Sequence, residues 1–206
     1  MFTDRWIVLP HFLTMMCGIE KNGISIQNQF AKKIQHDPNP YEKHVPWGFR
    51  FTCTRWNMSP SECRKMTSIY RTIVVKRDPI ERFVSAFKSK CLNADGDGAR
   101  HCWKLFGYNA TMHSVAVALF RKKSLNPHWA EQHTFCDGHT NYSICIPFAN
   151  ITLLSQVFNQ TDTENMLENK HGRHITNASA SELPVSTIKI LKRVYKRDFD
   201  WVNTCS

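Results

Sequence analysis

The sequence predicts an α/β layered domain, and three observations carry that prediction. A β-branched apolar run, Thr72-Ile73-Val74-Val75, stops at Lys76-Arg77-Asp78, and a helical pattern follows with Ile80, Phe83, Val84 and Phe87 at i, i+3, i+4 and i+7. Strand-like and helix-like segments alternate along the whole chain. At 206 residues and 42% hydrophobic, the chain can bury a real core within the size of one domain, so a single domain over 1–206 is expected.

The elements follow in order. Residues 6 to 19 read as a buried strand leading into a loop, because Pro10, His11 and Thr14 interrupt an apolar run too short to span a bilayer. Ile26, Phe30 and Ile34 predict a first helix with Lys32 and Lys33 on its polar side, ending before Asp37-Pro38-Asn39-Pro40. Residues 41 to 60, with Tyr41, Trp47, Phe49, Phe51 and Trp56, are expected to be irregular, and Ser59-Pro60-Ser61-Glu62 to start a short helix through Met66. After the Thr72–Val75 strand, Asp78 is the expected N-cap, Pro79 fits the first helical position, and Glu81 completes a capping box. The apolar face of that helix is expected to pack on the sheet, leaving Arg82, Ser85, Lys88 and Ser89 for other uses.

Downstream, Cys91 to Gly107 reads as a loop. Its Asp95-Gly96-Asp97-Gly98 run lacks the bidentate Glu and ligand spacing of an EF-hand, so calcium is disfavoured. Met112 to Phe120 is helical by pattern, Asn126 to Cys136 is a polar and aromatic loop, Tyr142 to Phe148 a strand, and Ile151 to Phe158 helical. Gln160 to Ala180 reads as a polar surface loop, and Leu183-Pro184 opens a last helix through Tyr195.

Composition bounds the partners and the compartment. Lys plus Arg exceed Asp plus Glu by 27 to 17, a net charge of +10, which favours polyanions over neutral partners. Six Asn-x-Ser/Thr sequons, at Asn57, Asn109, Asn141, Asn150, Asn159 and Asn177, accompany eight cysteines without a CxxC pair. That combination points to disulfides and an oxidising lumen, with Cys53–Cys63, Cys91–Cys102 and Cys136–Cys145 as the short loop closures that spacing suggests. It also places a cytosolic nucleic-acid-binding protein third among the readings.

Two stretches carry the chemistry. Thr72 to Phe87 is strand, basic turn, helix, a junction that binds anions because helix N–H groups meet side-chain cations there. Glu20-Lys21-Asn22-Gly23-Ile24-Ser25 stands between a predicted strand and a predicted helix, so Gly23 lets backbone N–H groups approach an oxyanion while Lys21 and Ser25 add charge and a hydroxyl. The GxxxxGK[ST] pattern is missing, which disfavours nucleoside triphosphate hydrolysis.

As a pair, the two stretches resemble the membrane-bound, Golgi-type carbohydrate sulfotransferases of the chondroitin class. That family's first loop, Pro-Lys-x-Gly-x-Thr/Ser, holds the 5′-phosphosulfate of PAPS (3′-phosphoadenosine 5′-phosphosulfate). Its later Arg-Asp-Pro-x-Glu-Arg-x-x-Ser-Ala-Phe/Tyr holds the 3′-phosphate. Here the second motif is Arg77-Asp78-Pro79-Ile80-Glu81-Arg82-Phe83-Val84-Ser85-Ala86-Phe87. Asn126-Pro127-His128-Trp129-Ala130-Glu131-Gln132 is similar to the family's His-Trp/Phe-x-Pro-Gln, and Tyr195-Lys196-Arg197-Asp198-Phe199 to its Tyr-x-x-Asp-Phe. Glu20 and Glu131 stand where the family has proline.

The resemblance implies a P-loop-like sulfotransferase fold, a parallel sheet flanked by helices. It assigns PAPS to Lys21, Asn22, Gly23, Ser25, Arg77 and Ser85. It implies in-line transfer of a sulfuryl group to a glycan or proteoglycan hydroxyl without a metal, with Lys21 on the leaving phosphate. His128 is the first candidate for the general base, with Glu131, His113 and His133 as alternatives. The family's anchor and stem have no counterpart here, so an amino-terminally truncated domain in the Golgi lumen is expected, meeting a membrane only through an anchor absent from this chain. Nucleic acid is not an expected partner. The other reading is a luminal or secreted relative that binds polyanions or glycans without turnover.

Overall fold

The computed structural model describes residues 5–35, 53, 57–92, 97–122, 126–139, 141–163, 167 and 179–204. The expectations for the aromatics between 41 and 56, for Asn93, Asp95 and Gly96, and for most of the loop from 160 to 180 therefore lie outside the described residues. The chain divides into two compact units, one of Met1–Lys76, His133–Gly172 and Cys205–Ser206, the other of Arg77–Gln132 and Arg173–Thr204.

The first unit is built on a four-stranded sheet in the order β1-β2-β3-β4: β1 (Trp6–Leu9), β2 (Thr14–Cys17), β3 (Arg71–Lys76) and β4 (Ile144–Pro147). The expected single strand over residues 6 to 19 is instead a hairpin. A 3-10 turn at Pro10–Phe12 and a left-handed Leu13 reverse the chain, so that Trp6 pairs with Cys17 and Leu9 with Thr14. Both strands are buried along their full length, so no period-two alternation marked where one ended and the next began. β2, β3 and β4 are parallel, with Cys17 opposite Val74 and Val75 opposite Ile146, and the sheet is mixed only through β1.

Alternate residues of the strands, Ile7, Leu9, Met16, Ile73, Val75 and Ile146, share one core with Phe30 and Ile34 of α1 (Ile24–Ile34) and Leu154 of α6 (Leu153–Val157). This is a sheet covered by helices, as the pattern predicts. The short helix α2 (Pro60–Met66) carries a complete capping box between Ser59 and Glu62.

The second unit is helical. α3 (Pro79–Phe87) starts where expected: Asp78 Oδ1 accepts from the Ile80 and Glu81 N–H groups, each at 2.9 Å. The reciprocal bond from the Glu81 side chain is not formed, so Asp78 caps alone. The apolar face of α3, expected on the sheet, packs among helical partners: Ile80, Phe83, Val84 and Phe87 are buried with Val115 and Leu119 of α5 (Met112–Arg121), Leu191 of α7 (Val185–Val194), and Trp129. A π-helical turn, Lys88–Leu92, follows α3, and α8 (Lys196–Asn203) ends the unit.

The loop expected from Cys91 to Gly107 contains α4 (Asp97–Phe106), so Asp97 and Gly98 of the calcium-like run begin a helix. Turn-forming residues at the start of the segment hid the helix behind them.

Three disulfides are Cys17–Cys136, Cys53–Cys63 and Cys91–Cys102. The last two match the expectation, while Cys136 joins Cys17 across 119 residues instead of Cys145, which is itself disulfide-bonded. Adjacency in sequence favoured the short closure, but the fold brings Cys136 to the carboxyl end of β2. Among the described residues no cysteine is free, a pattern that suggests an oxidising compartment.

Candidate functional site

The first site segment is the turn between β2 and α1, inside the first unit. Lys21 sits at φ 72 and Gly23 at φ 78, two left-handed residues that fold Ile19–Gly23 tightly, with the Asn22 N–H donating to Ile19 O at 3.1 Å. Gly23 is required twice over. Its φ excludes most side chains, and a Cβ there would stand 2.8 Å from Ile151 Cδ1 and 2.9 Å from Phe148 Cε2.

Asn22 is fully buried, and its Nδ2 donates 2.9 Å to Val75 O near the end of β3. The side chain therefore positions the turn. Ser25 is exposed in the first turn of α1. That helix has no side-chain cap and no acidic residue in its first turn, which leaves its N–H groups and positive dipole end suited to an oxyanion.

Glu20, the departure from the family pattern, forms an ion pair with Arg5 at 3.1 Å. Its charge is balanced locally, so the Lys21 turn does not face an uncompensated carboxylate.

The second segment belongs to the second unit. Arg77 and Ser85 are both buried, Arg77 just ahead of α3 and Ser85 in its second turn. Burial lowers the Arg77 pKa while Glu81 and Asp78 oppose the shift, and a guanidinium stays charged throughout the physiological range. Gln132 fixes the Arg77 backbone from both sides: its Oε1 accepts from Arg77 N–H at 3.3 Å, and its Nε2 donates to Arg77 O at 2.9 Å. Lys76 ends β3 nearly buried, and the loss of water around its amine pushes its pKa down to about 8.

The motif residues downstream prove to be a frame around this turn. Arg82, 1% exposed, donates Nη1 to Ala130 O at 2.7 Å and Nη2 to Pro127 O at 2.9 Å. The Tyr195 hydroxyl donates to Trp129 O at 3.0 Å, and Asp198 Oδ2 accepts from Gln132 N–H at 2.7 Å. Three side chains, Arg82, Tyr195 and Asp198, thus clamp one stretch, Pro127 to Gln132, against α3, α7 and α8. Burial pushes the Tyr195 phenol far above its ordinary pKa, so it remains a neutral donor.

That frame is what the sequence reading missed. Helical periodicity left Arg82 on a polar face, and its carbonyl partners lie 45 and 48 residues away. The signal available was the Glu-Arg and Tyr-x-x-Asp pattern itself, whose polar residues serve architecture.

The candidate bases separate by environment. His128 is buried within the framed stretch; its backbone N–H donates to Asn126 Oδ1 at 3.0 Å, and its ring meets the edge of His101 at 5.4 Å. His113 Nδ1 is engaged with Thr187 Oγ1 at 2.9 Å, joining α5 to α7, which makes it structural. Glu131 and His133 are half-buried on either side of Gln132, the first in the second unit and the second in the first.

The structure thus gathers Lys21, Asn22, Gly23 and Ser25 on one turn, and Arg77, Ser85 and His128 within one helical unit. No curated protein and no solved structure matches the chain. A family model does match, over residues 7–201, which takes in both strand-to-helix turns and the carboxy-terminal motif, and the chain belongs to the sulfotransferase family.

Proposed function

We propose that this sulfotransferase is a PAPS-dependent carbohydrate O-sulfotransferase of the Golgi lumen, acting on a glycan or proteoglycan hydroxyl of chondroitin type. The observation that carries the reading is the parallel pairing of β2 with β3. Their carboxyl ends share one edge of the sheet, the Lys21 turn follows the first strand, Arg77 follows the second, and Asn22 is hydrogen-bonded to Val75 O between them.

The fit to PAPS rests on that first turn: left-handed backbone at Lys21 and Gly23, an uncapped α1 free of acidic residues in its first turn, and a balanced Glu20. Lys21, the turn's N–H groups and Ser25 would hold the phosphosulfate, and Arg77 with Ser85 the 3′-phosphate. PAPS brings a sulfuryl group already joined to a phosphate leaving group.

The chain's own residues then orient the acceptor and handle charge and proton. His128 takes the proton as the acceptor oxygen forms its bond to sulfur, and Lys21 meets the negative charge left on phosphate as the old sulfur–oxygen bond breaks. The test is transfer of labelled sulfate from PAPS to a panel of desulfated glycans, chondroitin first. Label should appear in glycan, and His128→Asn should lower kcat by about 10²–10⁴-fold with nucleotide affinity unchanged.

A second reading, a polyanion-binding relative without turnover, is favoured by the exposed row Lys189, Lys192, Arg193, Lys196 and Arg197 on α7 and α8. A folded chain that binds sulfated glycans but labels none of the panel would establish it in place of the first.

A further inference from the structure

Two large aromatic rings are exposed on the surface of the second unit among the described residues. Tyr108 is 79% exposed and Trp103 39% exposed, and their ring centroids are 4.9 Å apart at 38°. The pair is built by the chain and held firmly. α4 is anchored on its inner side by the Cys91–Cys102 disulfide and by Phe106, whose ring meets Trp129 edge-on at 5.2 Å. Gly107 at φ 87 then ends the helix, its N–H donating to Trp103 O at 3.0 Å, and that left-handed turn swings Tyr108 back over Trp103.

The residue after Tyr108 supplies the occupant. Asn109 is exposed in the turn and begins the sequon Asn109-Ala110-Thr111. The sequons agree with this placement elsewhere: Asn57, Asn141, Asn150 and Asn159 are exposed as well, so every sequon among the described residues presents its asparagine to solvent.

We propose that Asn109 carries an N-linked glycan and that its first N-acetylglucosamine lies on the Trp103–Tyr108 pair. The step is attack of the Asn109 amide nitrogen on the anomeric carbon of a lipid pyrophosphate-linked oligosaccharide: the N–C bond forms, the C–O bond to pyrophosphate breaks, and the amide proton leaves to the host transferase. A pyranose presents polarised C–H groups on one face, and the negative faces of two adjacent aromatic rings attract them while both apolar surfaces leave water. The proposal rests on the secretory placement of the chain and not on sulfuryl transfer.

The test uses the full chain secreted from a glycosylating host. Peptide mass spectrometry should find Asn109 modified. Trimming the folded protein to single N-acetylglucosamine residues should leave Tm unchanged, whereas Asn109→Gln should lower it by about 2–4 °C. In a Trp103→Ser background, Asn109→Gln should have no further effect.

Should Asn109→Gln fold poorly, complete enzymatic removal of glycans from folded wild type and from folded Trp103→Ser supplies the same comparison. Modification of the other exposed sequons with Asn109 bare would overturn the proposal, as would an equal Tm loss with and without Trp103. If no sequon is modified, both the proposal and the secretory placement fail, and the sulfotransferase assay is unaffected.

Discussion

Replacing Arg82 with methionine removes the side chain that ties α3 to the Pro127–Gln132 stretch, and the structure sets the size of the effect. Two hydrogen bonds from a charged donor are lost, to Ala130 O at 2.7 Å and to Pro127 O at 2.9 Å. Each carbonyl left without its donor costs about 1–3 kcal/mol. Relief from burying a guanidinium offsets part of that sum, because methionine fills the same volume without needing to be desolvated as a charge.

The net expectation is a loss of about 2–4 kcal/mol, read by urea unfolding followed by tryptophan fluorescence. Arg82→Lys keeps the charge but loses the two-pronged geometry, so it should recover about half of the loss. Limited proteolysis should cut both variants first within residues 126–132. A loss under about 1 kcal/mol for the methionine variant, or a lysine variant equal to wild type, would show that the frame does not depend on the guanidinium fork.

Three further changes probe the surrounding parts. Burial holds the Lys76 amine at about 8 in the folded chain against 10.5 without it, so the folded state bears a penalty that is full below pH 8 and fades as pH rises toward 10.5. Lys76→Met should therefore stabilise by on the order of 2–3 kcal/mol at pH 7, with the advantage shrinking across pH 8 to 10.5, and a pH-independent gain in thermal unfolding would contradict the cause. Gly23→Ala forces a methyl against Ile151 and Phe148 at positive φ and should cost about 1–3 kcal/mol in the same unfolding assay, and a neutral effect would refute the tight turn. Removing Cys17–Cys136 as a double alanine variant should cost about 3–5 kcal/mol, since the bridge closes a loop of 119 residues, and a loss under about 1 kcal/mol would deny it that role.

What could be read from the sequence was local. Asp78, Pro79 and the spacing from Ile80 to Phe87 placed α3 to the residue, because an N-cap, a proline at the first helical position and a 3.6-residue period are all written within ten positions. The Lys21–Gly23 turn was visible for the same reason, although the second demand on Gly23, the approach of Phe148 and Ile151, comes from residues more than a hundred positions on.

What failed depended on distance or on burial. β1 and β2 are buried along their whole length and so gave no alternation to separate them; Cys136 found Cys17 through the fold; and Arg82 owes its burial to carbonyls that only the tertiary structure delivers. Glu20, which stands where the family has proline, has its charge met by Arg5, a partner fifteen residues away that only the fold places beside it.

The central proposal is that nucleotide binding depends on Lys21 and on Arg77. Isothermal calorimetry with 3′-phosphoadenosine 5′-phosphate tests it most directly, on the wild type, Lys21→Ala and Arg77→Ala, each checked for folding by circular dichroism. Wild type should bind one equivalent, with each variant weakened by roughly 10- to 100-fold, the loss of a charge-assisted phosphate contact of about 1.5–3 kcal/mol. A folded wild type that takes up no nucleotide, or variants that bind as tightly as it does, would contradict the account.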